Sequence, residues 1–178
     1  MIRKYVFISL IWFSLLIIVG SCNQSIENER SATDYTELEE PLLKANKQAV
    51  EAEQEQINNF INRYKWQMQE TGSGLRYAIY KKGVGPIAKP GNIAIMNYSV
   101  MLITGEEIYS SDKDGRKEFL IGKGGVESGL EEGILLLHLG DRAKFILPSH
   151  LGFGLLGDQH KVPPKSTLIY DIELLDLK

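Results

Sequence analysis

One cysteine, three histidines and a weak charge imbalance set the first limits on this 178-residue chain. With Cys22 alone, no disulfide closes within the chain, so stability must come from packing. His138, His150 and His160 stand in no zinc-type spacing with Cys22 or with one another. No Gly-x-Ser-x-Gly elbow and no phosphate loop is present. Gly122-Lys123-Gly124-Gly125 lacks the lysine and hydroxyl that would have to follow it. Hydrolase and nucleotide chemistry are therefore disfavoured, and no metal or cofactor is implied. The formal net charge is -3, and the basic pairs Lys81-Lys82 and Arg116-Lys117 are too short to make a phosphate-binding face. Nucleic acid is not an expected partner.

Long apolar runs are also scarce. The apolar run from Tyr5 to Val19 has 15 residues without a charge and follows Arg3 and Lys4. As a helix it would reach roughly 22 Å, short of the roughly 30 Å hydrocarbon core. Length and flanks describe a signal peptide over 1–21 rather than a spanning helix. It ends in Val19-Gly20-Ser21-Cys22, which resembles the lipobox of bacterial lipoproteins. That resemblance implies lipid on Cys22 and a protein held on a membrane of the cell envelope, facing the periplasm. Cleavage would remove Arg3 and Lys4, so the 20 basic residues fall to 18 against 23 acidic ones, net -5. Acyl chains contribute about 0.8 kcal/mol per buried CH2, enough in combination to hold such a chain on a bilayer.

Residues 22–40 are polar and acidic and read as a flexible tether. Thr36 and Glu39 have capping-box spacing and Pro41 suits a first helical turn, which predicts a helical extension over 41–65. Its apolar positions, Leu43, Val50, Ile57, Phe60, Ile61 and Tyr64, make a thin stripe. Docking on the next domain, pairing as a homodimer and acting as a spacer all fit that stripe.

From Trp66 to Lys178 the pattern changes to strands and turns. Gly72-Ser73-Gly74 separates Trp66–Glu70 from Leu75–Tyr80. Ala94, Met96, Tyr98, Val100 and Leu102 recur at period two, as a half-buried antiparallel strand requires. Thr104-Gly105-Glu106 turns into Ile108–Ser111, and Phe119–Ile121 suits a short strand. One stretch, Glu127 to Leu137, suits a helix, with His138 as a structural residue at its end. Ala143, Phe145 and Leu147, then Leu168, Tyr170, Ile172 and Leu174, mark two more strands. The expected class is α+β: a strongly bent antiparallel sheet wrapped around one short helix. The loop from Ser149 to Lys165 is long enough to suggest a functional role.

The residues that stand out near turns are Tyr98, Ile108, Tyr109, Phe119, Val126, Leu130, Phe153, Val162 and Tyr170. Alternating aromatics are ordinarily core, and the pattern does not separate a core from a lined pocket.

Seven pieces in consecutive order carry a resemblance to a known family: Gly91–Tyr98, Gly105–Ser111, Phe119–Lys123, Val126–Gly133, Gly140–Phe145, Pro148–Gly154, and Val162-Pro163-Pro164 leading to Leu168–Leu174. Over roughly 110 residues the C-terminal part resembles the FKBP-type peptidyl-prolyl cis-trans isomerases. The lipobox, acidic segment, helix and Pro148–Gly154 motif are similar to the gliding-motility-associated FKBP-type lipoproteins of Bacteroidota.

The resemblance implies an isomerase that binds proline-containing envelope polypeptides and assists their folding. By position, Leu130 would form the floor of the proline pocket, and Tyr98, Phe119, Val126 and Tyr170 its walls. Val162 would sit on a loop flap, and the backbone N–H of Glu127 would bind the substrate carbonyl. Four positions depart from the family pattern: Ile108-Tyr109 where Phe-Asp is usual, Phe153 for a Tyr, Lys117 at an often aromatic edge, and Glu127 for an aliphatic residue. A lost charged or hydroxyl hydrogen bond costs about 1–3 kcal/mol, or roughly one to two decades in rate. Reduced activity is therefore expected, with a catalytically weak binding or scaffold module as the alternative.

Overall fold

The computed structural model describes residues 32–178, with side-chain surroundings from Glu39 onward. The signal peptide, Cys22 and the tether as far as Ser31 lie outside the described residues. The described residues divide into two units, with the boundary between Ala45 and Asn46.

Helix α1, Ala32–Tyr64, starts earlier than Pro41 and carries that proline inside it. The helix start read at position 41 is thus revised, as is the tether over 32–40. Glu37 to Glu40 and Leu42 to Lys44 are good helix formers on either side, and the cost of the proline is local. In the first unit, Leu42 and Leu43 are exposed.

In the second unit, the last turns of α1 bury Ile57 and Phe60 against Ile146 and Ile169 of the sheet. Trp66 meets Phe60 edge to face, with ring centroids 5.4 Å apart. This end of the helix is therefore docked on the outer face of the sheet.

The strands are β1 (Gln69–Glu70), β2 (Arg76–Lys81), β3 (Ile93–Leu102), β4 (Glu107–Ser110), β5 (Lys117–Leu120), β6 (Arg142–Leu147) and β7 (Leu168–Leu177). They form one sheet in the order β1-β2-β6-β7-β3-β4, and β5 shares the β3 edge with β4. All pairings are antiparallel. The ten-residue β3 pairs with β5 through Ile93–Met96 and with β4 through Ser99–Met101. Between β4 and β5 lies a one-turn helix, α2 (Ser111–Asp114). The Ser111 hydroxyl both accepts from the Tyr98 N–H at 3.2 Å and donates to the Tyr98 carbonyl at 3.3 Å. That pair fastens the gap between the two short strands to the middle of β3.

Helix α3, Ser128–Ile134, fills the concave face. It is shorter than the expected Glu127–Leu137 because the chain tightens into i→i−3 turns, Leu136 N–H to Gly133 O and Leu137 N–H to Ile134 O, both at 3.1 Å. Two glycines let it approach β6 closely. A Cβ on Gly133 would lie 2.5 Å from the Phe145 ring, and one on Gly129 would lie 2.6 Å from the Leu147 side chain. Leu130, Ile134 and Leu137 are fully buried there with Met96, Phe145 and Leu174. After the helix, the backbone N–H of His138 donates to Asp141 Oδ2 at 2.8 Å, and the His138 side chain is exposed.

Candidate functional site

A cavity of about 280 Å³ opens between β3, β4, the start of α3 and the β6–β7 loop. Four aromatic rings wall it: Tyr98, Tyr109, Phe153 and Tyr170. Period-two geometry brings two of them in, since Tyr98 and Val100 face inward and Val100 pairs across the ladder with Tyr170. Tyr109 enters from β4, directly opposite Val100. Phe153 comes from the loop after a 3-10 turn, Ser149–Leu151. A second hollow of about 530 Å³, lined by Val126, Gly124 and Gly125, adjoins the first and shares Lys117, Glu127 and Phe153 with it.

The ten residues singled out in the sequence all meet here, but at two depths. Tyr98, Tyr109, Glu127, Phe153 and Tyr170 line the cavity, and Val126 lines the neighbouring hollow. Ile108, Phe119, Leu130 and Val162 are buried in the core beside them and are not on the cavity wall. Leu130 in particular is 0 % exposed. Leu130, expected as the floor, is closed off, while Glu127 and Tyr170 are among the residues that line the cavity.

Glu127 is the electrostatic centre of the site. Its side chain is 5 % exposed, and its Oε1 accepts from the Tyr170 hydroxyl at 2.8 Å. Burial first, and the Glu127 charge second, push the Tyr170 phenol well above its ordinary range. Tyr98 is raised by burial and by Asp114 and Glu127. The Lys117 ammonium lies 3.7 Å from Glu127 Oε2 and 5.5 Å from the Tyr98 ring centroid. The Glu127 N–H, just before the first turn of α3, has no acceptor among the described residues.

The loop from Ser149 to Lys165 is tied to the site by a latch that sequence reasoning missed. The Tyr109 hydroxyl donates to Asp158 Oδ2. Asp158 Oδ1 accepts from the N–H groups of His160 at 2.8 Å and Val162 at 2.7 Å. The hydrogen bond to Asp158, then burial, pushes the Tyr109 phenol up to about 12. Burial opposes ionisation of Asp158, yet hydrogen bonds from Tyr109, Val162 and His160 hold its carboxyl below the ordinary value. Lys161 completes the latch, donating to the Ile108 carbonyl at 3.0 Å and standing 4.6 Å from the Tyr109 ring centroid. An Asp-x-His-x-Val spacing inside a long loop was the available signal, because an aspartate commonly bonds N–H groups a few residues on.

Comparison with known proteins agrees with this geometry. The family model described as FKBP-type peptidyl-prolyl cis-trans isomerase matches residues 85–175. The chain is 35% identical over 167 residues to the FKBP-type peptidyl-prolyl cis-trans isomerase FkpA of Buchnera aphidicola, covering 89% of this chain and 65% of that protein. It is 32% identical over 111 residues to FkpA of Escherichia coli strain K12, covering 62% and 40%. The chain thus spans less than two thirds of the length of these curated relatives. The crystal structure of FkpA from Escherichia coli matches 98% of this chain and 82% of its own, with TM-score 0.64 and 27% identity. The crystal structure of AtFKBP13 matches 64% of this chain and 100% of its own, with TM-score 0.61 and 29% identity. A bent antiparallel sheet around one short helix, the aromatic cavity and the matched segment lead to one conclusion: the chain belongs to the FKBP-type peptidyl-prolyl cis-trans isomerase family.

Proposed function

We propose that this protein catalyses cis–trans isomerisation of Xaa-Pro peptide bonds in polypeptides of the cell envelope. The observation that carries this reading is the four-ring cavity beside the unpartnered Glu127 N–H. Rotation about Xaa-Pro crosses a barrier of about 18–20 kcal/mol because amide resonance is lost on the way. The twisted amide is less polar than either planar form, so a cavity walled by Tyr98, Tyr109, Phe153 and Tyr170 favours it over water. That is differential binding of the transition state, and it asks for no proton transfer. The Glu127 N–H would hold a substrate carbonyl, and the Tyr109–Asp158 latch would keep the loop closed over the ring.

The test is the isomerisation rate of a short Xaa-Pro peptide with the chain and with Tyr98→Ala. Acceleration above the thermal rate that falls at least about tenfold in the variant supports the enzyme. No acceleration by a folded chain rejects it.

A second reading, a weakly catalytic binding module, is favoured by one specific feature. A buried carboxylate at Glu127 and a cation at Lys117 make the cavity more polar than a proline ring needs. Tight binding of a proline peptide without rate acceleration would select this reading.

The cellular setting is proposed from sequence motifs. Val19-Gly20-Ser21-Cys22 supports lipidation at Cys22, and the narrower motif resemblance supports a role in gliding motility. Among the described residues no helix is long and apolar enough to cross a membrane. Metabolic labelling with a fatty acid, lost in Cys22→Ala, tests the anchor. Gliding of a deletion strain tests the process.

A further inference from the structure

Glu127 Oε2 is a buried carboxylate oxygen without a hydrogen-bond partner among the described residues. Its neighbour Oε1 is satisfied by Tyr170. Lys117 Nζ, at 3.7 Å, is beyond hydrogen-bond reach of Oε2 and attracts it only through space. The residue that carries this unmet acceptor lines both the aromatic cavity and the hollow beside it. A buried acceptor left without a donor is costly, and more so when charged. A proline ring has no N–H to offer it.

The surrounding charges point the same way. Asp114 and Glu127 face the cavity against the single cation Lys117. At the rim, Asp158 is offset by Lys161. The site therefore carries one surplus negative charge in a confined, partly buried space.

We propose that Glu127 is a specificity-determining residue, selecting proline segments that carry a lysine or arginine directly beside the proline. The inference rests on the isomerase reading above. If the Glu127 N–H holds a carbonyl of the bound segment, the adjoining residue lies about 3.8 Å further along the chain. A long basic side chain from there reaches the carboxylate of the same Glu127. Its ammonium or guanidinium supplies the donor that Oε2 lacks and neutralises the surplus charge.

The experiment compares kcat/KM of the full chain on two peptide series, with Lys, Leu or Glu before the proline and with the same three after it. In at least one series the Lys peptide is expected to exceed the Leu peptide by about tenfold or more, with the Glu peptide slowest. Glu127→Gln keeps an oxygen for Tyr170 and removes the charge, and should reduce that ratio. Glu127→Ile should bring it to one or below. Lys117→Met removes the competing cation and should increase it. Thermal melts establish that each variant is folded. Equal rates for Lys and Leu peptides in both series overturn the inference and leave the isomerase standing. A ratio unchanged in the folded Gln variant does the same, as does loss of selectivity in Lys117→Met. If no peptide is isomerised, the underlying reading falls and the inference with it.

Discussion

Glu53 on α1 and Thr167 at the foot of β7 are 114 residues apart in sequence, yet the Thr167 hydroxyl donates to the Glu53 carboxylate at 2.7 Å. The same carboxylate accepts from the Ser149 N–H at 2.7 Å and from the Ser149 hydroxyl at 3.0 Å. One side chain therefore pins both ends of the loop that delivers Phe153 and Val162. Glu53→Ala should cost about 1–3 kcal/mol of stability. It should also raise KM for a proline peptide more than it lowers kcat, because the loop is loosened while the cavity walls stay intact. Calorimetry together with steady-state kinetics checks both halves. A lower melting temperature with unchanged KM would limit Glu53 to a structural role.

The contact between α3 and β6 depends on a glycine at position 133. Gly133→Ala places a Cβ 2.5 Å from the Phe145 ring, and both residues are buried. Overpacking of this kind costs about 1–3 kcal/mol. Gly72→Ala is the matched control, since nothing lies within 4 Å of its added Cβ, and it should stay within about 0.5 kcal/mol of the parent. Denaturant midpoints at constant slope measure the difference.

The Tyr109–Asp158 latch has a defined pH window. The Asp158 pKa is depressed on folding, so its contribution is present above its ordinary 3.8 and is lost as pH falls through the lower folded value. The Tyr109 pKa is raised, so its contribution is complete below 10 and is lost as pH rises toward about 12. Between these limits Tyr109→Phe should destabilise the protein by an amount that does not vary with pH. The difference from the parent should shrink on both outer sides. Melting temperatures of the two proteins from pH 3 to 11 test this, and a spectroscopic titration should show one high-pH phenol fewer in the variant.

Removing the Tyr170 hydroxyl should be worse than removing both partners. Tyr170→Phe leaves Glu127 Oε1 buried without its 2.8 Å donor, at a cost of about 1–3 kcal/mol. In a Tyr170→Phe, Glu127→Leu double variant much of that loss should return, since two apolar groups replace a broken pair. A double-mutant cycle in urea measures the coupling. Additive losses would argue against the bond.

Much of the architecture follows from short-range patterns. The alternation from Ala94 to Leu102 sets a strand with one face inward, and the leucines and isoleucine from Leu130 to Leu137 mark a short helix. Consecutive motifs from Gly91 to Leu174 carry the family resemblance, and they name every aromatic wall of the cavity. These features are legible because each depends on residues a few positions apart.

The rest was decided by the tertiary structure. The group that holds the buried Glu127 side chain is a hydroxyl 43 residues away, on Tyr170. The hold of α1 on the loop spans 96 residues to Ser149. The early start of α1, with Pro41 inside it, shows that a local cap signal does not by itself end a run of helix formers. Periodicity reports which face of an element is apolar. It does not report which distant polar group closes the gap, because that partner is chosen only when the sheet bends and brings the two together.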